Sequence, residues 1–178
     1  MEHDVLKTYL IEKLQEWIFE QRSLHLPNSR SLTEEERSLL GGYFEERILD
    51  LTRIVSLERI SNPEFYSELV KSGTPIPLDL TQAMGFTLID CVLICKWLFS
   101  VPSMAISTIF HEMVHVVQAD ILGSTRLIEL YTDSLIKDEY RNVSFEVQAY
   151  DLTDQFIRGG ASFSVRKILE KEFKSSKL

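Results

Sequence analysis

Apolar residues recur every three or four positions from the start of the chain. Val5, Tyr9, Leu10, Leu14, Trp17 and Ile18 share one helical face, and Leu26-Pro27-Asn28 ends the run, so a helix is expected over residues 4–22. Thr33 followed by Glu36 has the spacing of a capping box and predicts a second helix, interrupted at Gly41-Gly42. The period changes over 49–60. There Thr52, Ile54 and Ser56 alternate against Leu51, Arg53, Val55 and Leu57, which is the two-residue repeat of a strand. Asn62 and Pro63 read as the cap of a short helix over 63–71, closed by Gly73, with a proline-containing loop over 74–77. The apolar stretch 85–97 reads as one strand or a hairpin.

The next segment has almost no polar face. Pro102 and Ser103 offer a helix start and Gly123 a stop. Between them Ala105, Ile106, Ile109, Phe110, Met113, Val114, Val116, Val117, Ile121 and Leu122 leave little for solvent, so the helix is expected to be enclosed by the fold. Farther on, Phe145, Ala149, Leu152 and Phe156 repeat like the buried stripe of another helix, with Asp151 and Asp154 facing solvent. The elements together predict an α+β protein, mostly helical with a small sheet. They are read as one domain over 1–178, in which 1–60 is a helical scaffold with a first strand and 85–157 a functional core.

Composition narrows the function without naming it. A chain of 178 residues with 44% hydrophobic content can bury a real core without disulfides. Its formal net charge of −8 offers no basic excess for phosphates, so nucleic acid is not an expected partner. The basic tail from Arg166 through Lys167, Lys171, Lys174 and Lys177 is interspersed with Glu170 and Glu172, as on a solvated helix end. Residues 86–99 are too short for a bilayer and carry Asp90 and Lys96, so no membrane span is expected. Cys91 and Cys95 lack the spacing of a zinc ribbon and read as reduced, packed thiols. The N-terminus opens Met1-Glu2-His3-Asp4 and continues as a charged helix, so the expected location is cytoplasmic.

One pentapeptide carries candidate chemistry: His111-Glu112-Met113-Val114-His115. Residues four apart lie one above the other on a helix, so both imidazoles can reach the same Zn²⁺ ion. Glu112 then stands beside the metal, where a general base takes a proton from water. Polar groups in so apolar a helix also need partners, because an uncompensated buried carboxylate costs several kcal/mol. A catalytic zinc site needs a third protein ligand. His3 and His25 have no accompanying motif, whereas Glu146 flanks the stripe of the later helix and is the best candidate.

These motifs resemble the gluzincin zinc metallopeptidases, thermolysin-like in plan. There an HExxH helix supplies two histidines and the base, and a later helix supplies a glutamate. The resemblance implies His111, His115 and Glu146 as ligands and Glu112 as base, with a peptide or protein as substrate. It also implies an edge strand beside the zinc helix that holds an extended peptide by backbone pairing. The string from His111 to Gln118, followed by Tyr140-Arg141-Asn142 and Glu146-Val147-Gln148-Ala149-Tyr150, also looks like small bacterial or phage-type proteins with a minimal metallopeptidase core. The likeness covers about residues 85–157. Where thermolysin-like enzymes place an aspartate four residues after the third ligand, this chain has Tyr150, which leaves the partner of the zinc histidines unassigned. Tyr131, Tyr140, Arg141 and Tyr150 are the candidates for stabilising the oxyanion.

The reading that follows is a zinc metallopeptidase acting on a peptide or related amide bond. The alternatives are a zinc hydrolase of another kind, a catalytically inactive pseudopeptidase serving as an interaction module, and a helical protein without metal. A deformylase is a poor fit because its motif expects aspartate where Val114 stands.

Overall fold

All five residues of the strand Cys91–Cys95 are buried, and its place in the sheet explains why. In a computed structural model, which describes residues 2–74, 76, 78–137 and 143–176, this strand (β3) lies between two others. Strand β1 (Arg53–Leu57) pairs with it in parallel and β2 (Gly85–Leu88) antiparallel. A central strand covered on both faces must read as continuous apolar sequence. The chain is α+β and mostly helical, with this three-stranded sheet.

Residues 85–97 thus form a hairpin that runs on into a 3₁₀ turn at Lys96–Ser100. Its turn is very tight. Asp90 N–H donates to the Leu88 carbonyl at 2.9 Å, and Ile89 between them has φ +67°, a conformation that crowds a β-branched side chain. Asp90 is buried but matched, its carboxylate taking two bonds from Arg22, at 2.5 Å and 2.7 Å. Arg22 belongs to α1 (Glu2–His25), so this pair ties the N-terminal helix to the hairpin.

Helix α5 (Pro102–Leu122) packs on β2 and β3. Phe110, fully buried, stacks on Phe156 at 4.4 Å between ring centres and meets Tyr43 edge-on at 5.5 Å. Such aromatic anchoring fixes the rotation of α5 about its axis, and hence which way its histidines point. Gly123, with φ +82°, ends the helix. Helices α6 (Ser124–Lys137), α7 (Ser144–Arg158) and α8 (Val165–Ser176) all pack on α5, and α1 packs on α6 and β2. Asp120 of α5 pairs with Arg47 of α3 (Glu46–Leu51) and with Arg166 of α8.

Several local expectations are corrected. The strand expected over 49–60 begins only at Arg53, because burial of Ile48 and Leu49 draws the preceding residues into α3. The Thr33–Glu36 capping box forms and opens α2 (Glu34–Leu40), which stops at Gly41. Asn62 does not cap the following helix, α4 (Tyr66–Lys71). Instead its side chain accepts from Leu80 N–H at 2.7 Å and donates to Asp79 at 2.9 Å. Pro102 does open α5, but Ser103 is not its cap, since the capping position is Val101. Both cysteines are free and buried, and burial pushes the Cys91 thiol up to about 11. No helix among the described residues is long and apolar enough to cross a membrane.

Candidate metal centre

His111 and His115 stand one turn apart on α5, with ring centres 5.1 Å from each other. Glu146, in the first turn of α7, faces both. Its Oε2 lies 3.4 Å from His111 Nε2 and its Oε1 3.3 Å from His115 Nε2. One ligand atom from each of the three residues falls within 4.8 Å of the others, and all three residues are buried. A tetrahedral zinc site with bonds of about 2.0–2.1 Å sets ligand atoms roughly 3.3 Å apart, so the two contacts to Glu146 have the right span.

The hydrogen bonds also suit a metal. Oε2 of Glu146 is buried and has no hydrogen-bond partner among the described residues. A carboxylate oxygen left in that state is rare in a folded protein, and a bound cation would satisfy it. Among the described residues no lysine or arginine pairs with Glu112 or Glu146, and neither His111 nor His115 bonds to backbone. Among the described residues, then, the histidines are not on backbone groups and the glutamates are not on a base, as they would be in an ordinary core helix.

The titration of these groups follows from their closeness. Burial by itself would raise the Glu146 carboxyl, but His115 and His111 hold it well below the usual carboxylate range. Burial opposes a charge on His115, yet Glu146 and then Glu112 push its imidazole up to about 9. The Glu112 carboxyl is raised by its burial, against the pull of the two imidazoles and of Thr87.

Glu112 meets the hairpin. The Thr87 hydroxyl on β2 lies 2.7 Å from Glu112 Oε2 and 2.9 Å from its backbone carbonyl, and donates its one proton between them. Gly85, two residues earlier, lets the carboxylate approach. A Cβ there would stand 2.7 Å from Glu112 Oε1 and 2.9 Å from a methyl of Thr108. On the other side Gln118 serves His115. Its Nε2 donates to the Phe145 carbonyl at 3.0 Å and to Gln148 Oε1 at 2.9 Å, so its Oε1 accepts from His115 Nδ1 at 2.8 Å. That bond places the other ring nitrogen toward Glu146.

Sequence reasoning named His111, Glu112, His115 and Glu146, and the fold brings all four together. Tyr131 joins them as a donor to Glu146 Oε1 at 2.6 Å. Tyr150 sets its ring against His111, 4.6 Å between centres. Tyr140 and Arg141 lie outside the described residues. Thr87, Gly85, Gln118 and Gln148 were missed. Gln118 was within reach of a spacing argument, one turn after His115, whereas nothing local marks Thr87. No family model, curated protein or solved structure matches this chain.

Proposed function

We propose that the protein is a zinc-dependent hydrolase of peptide or related amide bonds, with His111, His115 and Glu146 as the residues that would hold the ion and Glu112 as general base. The observation that carries this reading is the buried His-His-Glu cluster with an unsatisfied Glu146 oxygen, on the helix that also presents Glu112. When bound, zinc supplies Lewis acidity to a carbonyl oxygen and lowers the pKa of water.

The chain's own residues do the rest. Glu112 takes a proton as a water oxygen adds to the acyl carbon, and it returns that proton to the amine nitrogen as the C–N bond breaks. Thr87 holds the carboxylate in place for both transfers. Among the described residues β2 is an edge strand, which offers an extended substrate a backbone edge next to Glu112.

Elemental mass spectrometry of wild type and Glu146→Ala, purified alike, is the test. About one zinc per chain, lost or much weakened in the variant, is expected. No zinc in wild type after loading and dialysis would end the hydrolase reading. Zinc without turnover on any peptide, amide or ester would favour an inactive metal-binding interaction module instead.

A further inference from the structure

Access is the difficulty that the fold sets for this site. His111 and His115 are each 9% exposed, Glu112 6% and Glu146 2%, whereas a catalytic metal keeps one position open to water and substrate. A cavity of about 100 Å³ adjoins them, bordered by Glu112, His115, Tyr131 and Glu146 and, from α1, by Leu14 and Ile18. That volume holds about three waters at ~30 Å³ each and no peptide. Residues of β2 and α6 form two further walls, and α1 packs on both elements, so the N-terminal helix bridges the walls of the cavity.

The core has little hold on α1. Of its residues 5–25 only Leu10 and Leu14 are buried, whereas every residue of α5 from Ile109 to Ala119 is. Those two leucines pack with Tyr66, Leu69 and Ile128 in a small cluster apart from the main core, where α1 contributes only the partly buried Trp17 and Ile18. The rest of its seat is polar. Lys7 pairs with Asp133, the Tyr9 hydroxyl donates to Glu68 at 3.3 Å, and Gln15 Nε2 donates to the Thr125 carbonyl at 3.5 Å. Contacts of this kind at a surface contribute little each. The chain leaves α1 through the 3₁₀ turn Leu26–Asn28 and is fastened again at Arg30, whose backbone pairs with Ile54 of β1. Arg22–Asp90 lies at that end of the helix.

We infer that α1 is a hinged cover over the candidate site, built into the chain as its restraint. Seated, it closes the cavity to anything the size of a peptide. It lifts about the turn at 26–28 while the sheet, α5 and α7 stay folded, and Glu112 is then reached from the side of α1. The inference rests on the hydrolase reading above and adds how that site is regulated. Elements that must move for function are drawn from the least stable parts of a fold, and few buried contacts mark such a part. A helix also draws most of its stability from packing, so a lifted α1 frays and exchanges its amide hydrogens.

Hydrogen exchange of the metal-free full chain tests the lifting without metal or turnover. Amides in the middle of α1, residues 9–20, should exchange at least about tenfold faster than those of 109–119, and with a much weaker dependence on urea, as a local opening requires. One shared rate and urea dependence for the two helices would overturn the cover. Zinc alone then probes access to the site. Leu10→Ala loosens the seat and changes no residue lining the cavity. It should speed zinc uptake, and zinc release to EDTA, each by about tenfold or more, the least that truncating a buried leucine costs. Because both rates pass through the same opening, their ratio, and so Kd, should stay constant. Lys7→Gln should show the same pattern at about two- to threefold. Rates unchanged in both variants would overturn the cover, and so would a faster release with a weaker Kd, which marks distorted ligands rather than a gate. Should the chain take up no zinc, the hydrolase reading falls and exchange alone decides: separate opening of α1 keeps it as a cover of the cavity, and shared opening overturns it.

Discussion

Gln118 joins the two helices of the site through His115, accepting from His115 Nδ1 at 2.8 Å while its own amide donates to the Phe145 carbonyl at 3.0 Å. Phe145 directly precedes Glu146. One buried side chain therefore sets both the ring orientation of a histidine on α5 and the position of the carboxylate on α7.

Replacing it should be costly in two measurements. Gln118→Leu leaves His115 Nδ1 unpaired in the interior and takes a donor from the Phe145 carbonyl, a loss of about 1–3 kcal/mol seen in the urea midpoint. Zinc affinity, measured by competition with a chelator, should fall about 10- to 100-fold. An unchanged affinity would mean the ring is oriented by something else.

The hairpin contacts predict a different pattern. Gly85→Ala puts a methyl where the Glu112 carboxylate now lies, and Thr87→Val removes its donor. Both should keep zinc and lower kcat about a hundredfold, because a misplaced base of this kind costs that much. Thr87→Ser should retain most activity, since it keeps the hydroxyl. Equal activity of Val and Ser variants would show that the hydroxyl does not position the base.

Tyr131→Phe removes one bond from Glu146 without touching the ring packing against Phe145. The expected result is a weaker metal site, by about tenfold, with secondary structure unchanged by circular dichroism. Zinc affinity equal to wild type would make the tyrosine a wall of the cavity only.

Removing the metal should expose its part in stability. Because the three candidate ligands, from two helices, converge only in the folded chain, zinc at about a thousand times its Kd should stabilise by about 4 kcal/mol. A chelator should lower Tm accordingly. No change in Tm on chelation would separate the cluster from metal binding.

Stability in acid should depend on Asp120, which Arg47 and Arg166 hold down to about 2 from the ordinary 3.8. A depressed carboxyl contributes stability that is complete above its unfolded value and lost as pH falls through its folded one. The gap in urea midpoint between wild type and Asp120→Asn should therefore be constant near neutral pH and close between about pH 4 and pH 2. A constant gap across that window would show that the ion pairs do not couple to folding.

Which features were legible from sequence follows the range of the forces involved. The spacing of His111 and His115, the Thr33–Glu36 box, the opening of α5 at Pro102 and its end at Gly123 are consequences of helix geometry over a few residues, so the sequence alone determines them. Glu146 is legible as a candidate because it flanks the buried stripe of its helix, and the fold sets it beside both histidines. The tertiary structure decided what depends on contacts between distant segments. Thr87 is 25 positions from Glu112 and meets it only because β2 crosses α5. Asn62 caps Leu80 rather than its own helix, and residues before Arg53 turn helical because Ile48 and Leu49 gain burial that way. Leu14 and Ile18 read from sequence as the face of a scaffold helix, and they become cavity walls once α1 is pinned by Arg22 to Asp90. Local periodicity tells that a side chain is to be buried; only packing of the whole chain selects what it is buried against.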